Sequence, residues 1–199
     1  MGYAIAEAAQ ARGAQVVLVT GPTALPAPRG VEVVSIATAE EMFKALSGRL
    51  AWSTTVIMAA AVSDYRPINL APHKMKKQGE VGQALDLECT TDILASLSAQ
   101  RTTQLLVGFA AETHDLIANA QGKLTAKGLD LIVANDVTTS GGGFGSDQNA
   151  ATLIDRHGVM IEVPLIPKRA LADVILSRAL ELLRARQSND ASSPVVRGH

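Results

Sequence analysis

The sequence is poorest in groups that would make its chemistry obvious. Its single cysteine, Cys89, rules out a disulfide within the chain and is compatible with a reducing compartment, so the cytoplasm is expected. Cys89 itself reads as a small, half-buried side chain near the end of a strand. Aromatic residues make up only 3% of the chain, so Ala, Val, Leu and Ile must build the core. The formal net charge is -1, which gives no broad field for nucleic acid or an acidic membrane; neither is an expected partner. No apolar run approaches membrane-spanning length. His73, His114, His157 and His199 are scattered rather than at ligand spacing, and no metal-binding residues are expected.

What is present alternates. A helix over Gly2–Arg12 stopped by Gly13, a strand at Ala14–Val19 and a strand at Val31–Ile36 come first. Thr38-Ala39-Glu40-Glu41 then has capping-box spacing for a helix reaching about Leu50. Thr54–Ala61 reads as a buried strand, Leu85–Leu87 as a half-exposed one, and Leu105–Ala110 and Leu131–Ala134 as further strands around a helix over Asp115–Lys127. Ala151–Ile154 and Val159–Val163 flank a turn at Asp155–Gly158 and suggest a hairpin. A last helix spans about Arg169–Arg186, and polar residues 187–199 are expected to form a disordered tail. Strands alternating with helices predict an α/β, doubly wound, mostly parallel sheet with helices on both faces and a small antiparallel hairpin. In such sheets ligands bind beyond the carboxyl ends of the strands, here the loops after Ala61, Ala110 and Ala134.

Several residues near those loops could carry chemistry, each with a plainer alternative. Asp64 could accept hydrogen bonds from a ribose or simply form a turn. The small Ala59 and Ala60 would let a flat base approach the backbone. Lys74, Lys76 and Lys77 form either a lid that brings an ammonium to phosphate or a solvated charge run. Lys123 and Lys127 share a helix face at i, i+4 spacing with no acid four residues before Lys123, which mildly favours a shared anionic ligand, a solvent-facing pair being the plainer reading. Phe109 could pack on a nucleotide or in the core. No Gly-x-Gly-x-x-Gly turn joins a strand to a helix, so a nicotinamide-dependent oxidoreductase has little support.

The order of these signals is more specific than any one of them. Ala59-Ala60-Ala61-Val62-Ser63-Asp64-Tyr65-Arg66-Pro67 is followed by Lys74-Met75-Lys76-Lys77, Asp92-Ile93-Leu94 and Gly108-Phe109-Ala110-Ala111-Glu112-Thr113. Lys123 and Lys127, Ala134-Asn135-Asp136-Val137 and Gly143-Phe144-Gly145-Ser146-Asp147-Gln148-Asn149 then complete the series. The whole resembles the bacterial phosphopantothenate–cysteine ligases, the synthetase domain of bifunctional coenzyme A biosynthesis proteins. The resemblance covers residues 1 to about 185, giving a synthetase domain at 1–186.

That resemblance implies a Rossmann-like homodimer in which CTP, accompanied by Mg²⁺, activates 4'-phosphopantothenate as an acyl-cytidylate that the amine of L-cysteine then attacks. It places nucleotide contacts at Met58, Ala59, Ala60, Asp64, Lys74, Thr91, Asp92, Ile93, Leu94, Phe109, Lys123 and Lys127, and makes Lys74 catalytic. Thr91 departs from the family's usual proline. A phosphopantothenoylcysteine decarboxylase domain or protein is an implied partner. The family's first strand, its Gly-rich turn and an Asn implicated in the second half-reaction match nothing in this sequence. The alternative expectation is therefore an inactive nucleotide-binding or dimerising remnant.

Overall fold

The computed structural model describes residues 1–69, 71, 73–76, 84–112, 115–136 and 146–192. Helix α1 (Gly2–Ala11) leads to strands β1 (Val17–Thr20) and β2 (Glu32–Ser35), then α2 (Ala39–Ser47) and β3 (Thr55–Met58). Two short strands follow, β4 (Tyr65–Pro67) and β5 (Leu87–Cys89). After them come α3 (Ile93–Gln100), β6 (Leu105–Glu112), α4 (Leu116–Ala126), β7 (Leu131–Asp136), β8 (Gln148–Asp155), β9 (Met160–Pro167) and α5 (Lys168–Ser192).

The main sheet runs β3-β6-β7-β8-β9. Its β3, β6 and β7 are parallel, and β8 and β9 are added antiparallel as the expected hairpin. Strands β1 and β2 pair in parallel with each other; among the described residues they form a separate two-stranded sheet. The fold is thus α/β with a mostly parallel central sheet, as the alternation of elements predicts.

Local chemistry explains several boundaries. Thr38 caps α2: its Oγ1 accepts from the Glu41 N–H at 3.1 Å while Glu41 Oε2 accepts from the Thr38 N–H at 3.1 Å, closing the expected box. Asp92 Oδ1 caps α3 by accepting from the Ala95 N–H at 3.1 Å. Gly128 ends α4 at φ 59°, a left-handed conformation that favours glycine. Gly108 is needed for another reason. A Cβ there would lie 2.6 Å from Leu129 Cδ1, so its absence lets β6 lie against the residues that follow α4.

Strand alternation divides the interior in two. Leu105 and Val107 of β6, Leu131 and Val133 of β7 and Leu153 of β8 pack with Ile5 and Ala8 of α1 and with Leu171, Ile175 and Ala179 of α5. Their sequence neighbours Leu106, Ala110, Ile132, Ala134 and Ile154 pack instead with Met42 of α2, Ile93, Leu94 and Leu97 of α3, and Ala120 and Leu124 of α4.

Some expectations need correction. Strand β3 ends at Met58 rather than Ala61, because beyond the four-residue ladder with β6 the chain leaves the sheet toward β4. The segment near Leu85 is not half-exposed. Among the described residues strand β5 pairs only with β4, in a two-stranded ribbon every residue of which is exposed or only partly covered. Cys89, at the end of that ribbon, is consequently exposed rather than half-buried. Helix α5 continues to Ser192, six residues past Arg186 and into the stretch expected as a tail. Lys77, the turn at 78–82, Val137 and the Gly-rich 141–145 lie outside the described residues, as do residues 193–199.

Candidate active site at the carboxyl ends of the strands

Strands β3, β6 and β7 deliver Met58, Glu112 and Asp136 to one edge of the sheet. Met58 is half-buried against the α2–α3–α4 core, and Ala59 and Ala60 follow it with increasing exposure. Asp64 is exposed just before β4, where its backbone carbonyl accepts from the Thr90 N–H at 2.9 Å. Its position is thus tied to Thr90 and so to the start of α3. Lys74 is exposed, as are His73, Met75 and Lys76 beside it.

The Thr91–Leu94 segment opens α3. Ile93 and Leu94 are buried in the core, so their side chains cannot meet a ligand. What this turn can offer an anion is backbone N–H groups and the positive end of the helix dipole. Asp92 is partly committed: besides capping, its Oδ2 lies 3.2 Å from Lys127 Nζ. That ion pair supplies the acidic neighbour missing along α4 itself, and it joins the start of α3 to the end of α4. Sequence spacing could not show it, because the two residues are 35 positions apart (127 − 92).

Lys123 and Lys127, together with Ala118, Asn119, Gly122 and Ala126, line an open recess of about 430 Å³ on α4. Small residues alternate with the cations, and a Cβ at Gly122 would meet nothing within 4 Å. The recess therefore combines room with positive charge. Phe109 is on the other side of the sheet, half-buried against the α1–α5 core. The structure thus brings Asp92, Lys123 and Lys127 onto one side and sets Phe109 on the opposite one.

One polar atom on that second side was not picked out by sequence reasoning. Asn135 Oδ1 is buried and has no hydrogen-bond partner among the described residues. An acceptor buried without a donor costs roughly 1–3 kcal/mol, so its retention calls for a reason. The Ala-Asn-Asp-Val string was the available signal, used only as a mark of resemblance. On the same side, the Met1 ammonium is held below the usual amine range, first by burial and then by the charge of nearby Lys168.

Residues 1–183 match the family described as the DNA/pantothenate metabolism flavoprotein C-terminal domain. The chain belongs to that family. It is 43% identical over 193 residues to the coenzyme A biosynthesis bifunctional protein CoaBC of Bacillus subtilis, covering 96% of this chain and 47% of that protein. It is 42% identical over 179 residues to the Escherichia coli K12 protein of the same name, covering 88% of this chain and 44% of the relative. The chain therefore spans about half the length of the curated relatives it matches. Among solved structures, the C-terminal domain of CoaBC superposes with a TM-score of 0.78 at 38% identity, over 92% of this chain and 82% of that one. A complex of a Cab2 mutant with phosphopantothenate-cysteine superposes with a TM-score of 0.74 over 94% of this chain and 79% of that one, but at 14% identity that likeness concerns the fold alone.

Away from this edge, the amino ends of the strands carry a second polar cluster. Asp130, fully buried, accepts from Arg101, Arg156 and Arg186 and, at 2.8 Å, from the Leu106 N–H. Asp155 accepts from Arg178 and from the His157 and Val159 N–H groups at 2.8 and 3.1 Å. Burial pushes the Asp155 carboxyl up, but Arg178 and the two N–H groups outweigh it and hold it below the ordinary carboxylate range. Every arginine of this cluster is already partnered, and the cluster ties α5 and the loop after α3 to the base of the sheet.

Proposed function

We propose that this chain is the ligase half of a coenzyme A biosynthetic protein, joining 4'-phosphopantothenate to L-cysteine through an acyl-cytidylate formed from CTP. The observation that carries the reading is the ion pair that brings Lys127, one turn after Lys123 on the recessed face of α4, to Asp92 at the start of α3. Membership of the C-terminal domain family, and a like fold in the C-terminal domain of CoaBC, support it.

The chemistry follows from charge. A carboxylate must approach a triphosphate, so several negative charges have to be neutralised before the α-phosphate can be attacked. Lys123 and Lys127 supply cations at the recess, and α3 offers the backbone N–H groups of its first turn. Asp92 holds Lys127 in place through their ion pair. Lys74, on the segment after β4, brings a further ammonium as charge moves onto the departing pyrophosphate. Once the acyl-cytidylate exists, CMP is a good leaving group and the cysteine amine displaces it. Among the described residues no three His, Cys, Asp or Glu side chains gather into a metal cage. Mg²⁺ is proposed to enter with the triphosphate.

The β4–β5 ribbon is proposed as a homodimer contact. Tyr65, Ile68, Leu85 and Leu87 are each more than half exposed along it. Such a set of apolar side chains on a short two-stranded ribbon needs cover.

A coupled assay with phosphopantothenate, L-cysteine and either CTP or ATP tests the function, on this chain and on one extended in frame upstream. Formation of phosphopantothenoylcysteine with CTP in either supports the ligase. CTP binding without product in both would instead favour the inactive nucleotide-binding remnant, and loss of both would remove the recess from consideration.

A further inference from the structure

The Asp64 side chain is exposed, and its carboxylate makes no hydrogen bond or ion pair with another described residue. Its direction is therefore set by the backbone on either side of it. The peptide unit before Asp64 carries the Ser63 carbonyl, and the unit after it carries Asp64's own. Thr90 holds both: its Oγ1 donates to the Ser63 carbonyl at 2.6 Å, and its N–H donates to the Asp64 carbonyl at 2.9 Å. A residue has only two soft backbone torsions, one toward each flanking peptide unit. A single residue thus restrains both torsions about the Cα that bears the carboxylate.

Strand pairing alone does not do this. The β4–β5 register ends with Tyr65 opposite Cys89, one residue short of Asp64. The Thr90 N–H extends that ladder by a step, while the hydroxyl reaches one residue further, to Ser63. A residue without a side-chain donor at position 90 would keep the first bond and lose the second.

Thr90 also opens the segment that leads into α3. Two residues on, Asp92 caps α3 through Oδ1 and pairs with Lys127 through Oδ2. The run 90–92 therefore links the Asp64 turn, the first turn of α3 and the cationic face of α4. Asp64 and Thr90 are 26 positions apart (90 − 64), so without these bonds only the intervening ribbon would fix their relation.

We propose that Thr90 is a positioning residue for the nucleotide, holding the Asp64 carboxylate at a set place relative to the start of α3 so that both engage one CTP. The assignment rests on the ligase reading and adds to it the residue that preorganises the nucleotide grip. Thr90 touches no ligand itself. Restraining the turn beforehand removes an ordering cost that binding would otherwise carry. That gain is the same for the ground and transition states, so it is felt in CTP affinity rather than in turnover.

The test uses the intact gene product as wild type, Thr90→Val, Thr90→Ser, Asp64→Ala and the double variant Asp64→Ala/Thr90→Val. Valine keeps the shape and the backbone N–H but has no side-chain donor, whereas serine keeps the hydroxyl. CTP affinity is read by calorimetry, which needs no turnover, and ligation by steady-state kinetics on each substrate. Thr90→Val should weaken CTP binding roughly three- to tenfold, the range for one neutral hydrogen bond. KM for CTP should rise alike, with kcat and the KM values for phosphopantothenate and cysteine within about twofold of wild type. Thr90→Ser should bind CTP as wild type does. Once Asp64 is truncated, adding Thr90→Val should cost less than about twofold more, because the residue acts through that carboxylate. Fully additive losses would overturn the proposal. So would equal losses in the Val and Ser variants, or a fall in kcat with CTP affinity unchanged, either of which marks a structural residue. If wild type does not bind CTP, the ligase reading itself falls; if it binds and Thr90→Val matches it, only this inference falls.

Discussion

Asp130 offers the sharpest test of how the fold is held together. Its carboxylate is fully buried, and Arg101, Arg156, Arg186 and the Leu106 N–H all donate to it. Removing one partner of a buried ion pair costs about 3–5 kcal/mol, because the other charge is left uncompensated. Here the stranded charges are only partly buried: Arg101 keeps 18% of its side-chain surface, Arg186 27% and Arg156 48%. All three can recover some hydration, so the ionic loss belongs near the lower limit, about 3 kcal/mol. The Leu106 N–H is different. It is buried at the start of β6, and losing its acceptor adds roughly 1–3 kcal/mol. Asp130→Ala should therefore cost about 4–6 kcal/mol, a large share of the stability of an ordinary domain. Asp130→Asn keeps an acceptor for Leu106 and should cost about 3 kcal/mol, the ionic part alone. Urea unfolding followed by circular dichroism measures both, read as a shift in midpoint at unchanged slope. Arg156→Ala, which removes the most exposed partner, should cost under about 1 kcal/mol. The reasoning is refuted if Asp130→Ala costs less than about 1 kcal/mol, or if Asn and Ala at this position are equally damaging.

Other outcomes follow from the same structure. The lowered pKa of Asp155 means that its stabilising contribution is present above the ordinary carboxylate range and lost as pH falls through the lowered value. Asp155→Asn should accordingly flatten the fall in stability below about pH 4, and an unchanged acid slope would contradict this. Lys74→Gln should slow acyl-cytidylate formation by roughly two orders of magnitude or more with far less effect on CTP binding, whereas Lys76→Gln should be mild. Normal rates in both variants would reduce this basic segment to a solvated loop. In sedimentation at micromolar concentration the protein should be a dimer and Leu87→Glu should shift it toward monomer; a monomeric wild type would argue against the ribbon as an interface.

How far the sequence could be read depended on the range of the interactions. Thr38 and Glu41 lie three residues apart and their reciprocal bonds were legible, as were Gly128 stopping α4 and the Asp155–Gly158 turn joining β8 to β9. Apolar runs marked the strands because buried parallel strands are apolar on both faces. The misreadings arose where burial depended on distant partners. Leu85 and Leu87 alternate as a half-covered strand would, yet nothing among the described residues packs over β5. The Ala59–Ala61 run is apolar enough to extend β3, but its ladder with β6 has already ended. At the candidate site, Lys123 and Lys127 were visible through their spacing, while their link to Asp92 and the solitary oxygen of Asn135 exist only in three dimensions. The Asp130 cluster was equally hidden, since it gathers arginines from three separate segments.

The division of the interior into two cores has a genetic consequence. Along β6, Leu105 and Val107 belong to the α1–α5 core, while Leu106 and Ala110 belong to the core beneath α2, α3 and α4. Adjacent codons therefore answer to different packing environments. Substitutions at Val107 and Ile175 share a core and should interact, so one change can compensate or aggravate the other. Substitutions at Val107 and Leu124 are separated by the sheet and should simply add. The chain can thus drift as two semi-independent halves, one behind the cationic recess and one behind Asn135, with the backbone of β6 and β7 as the part common to both.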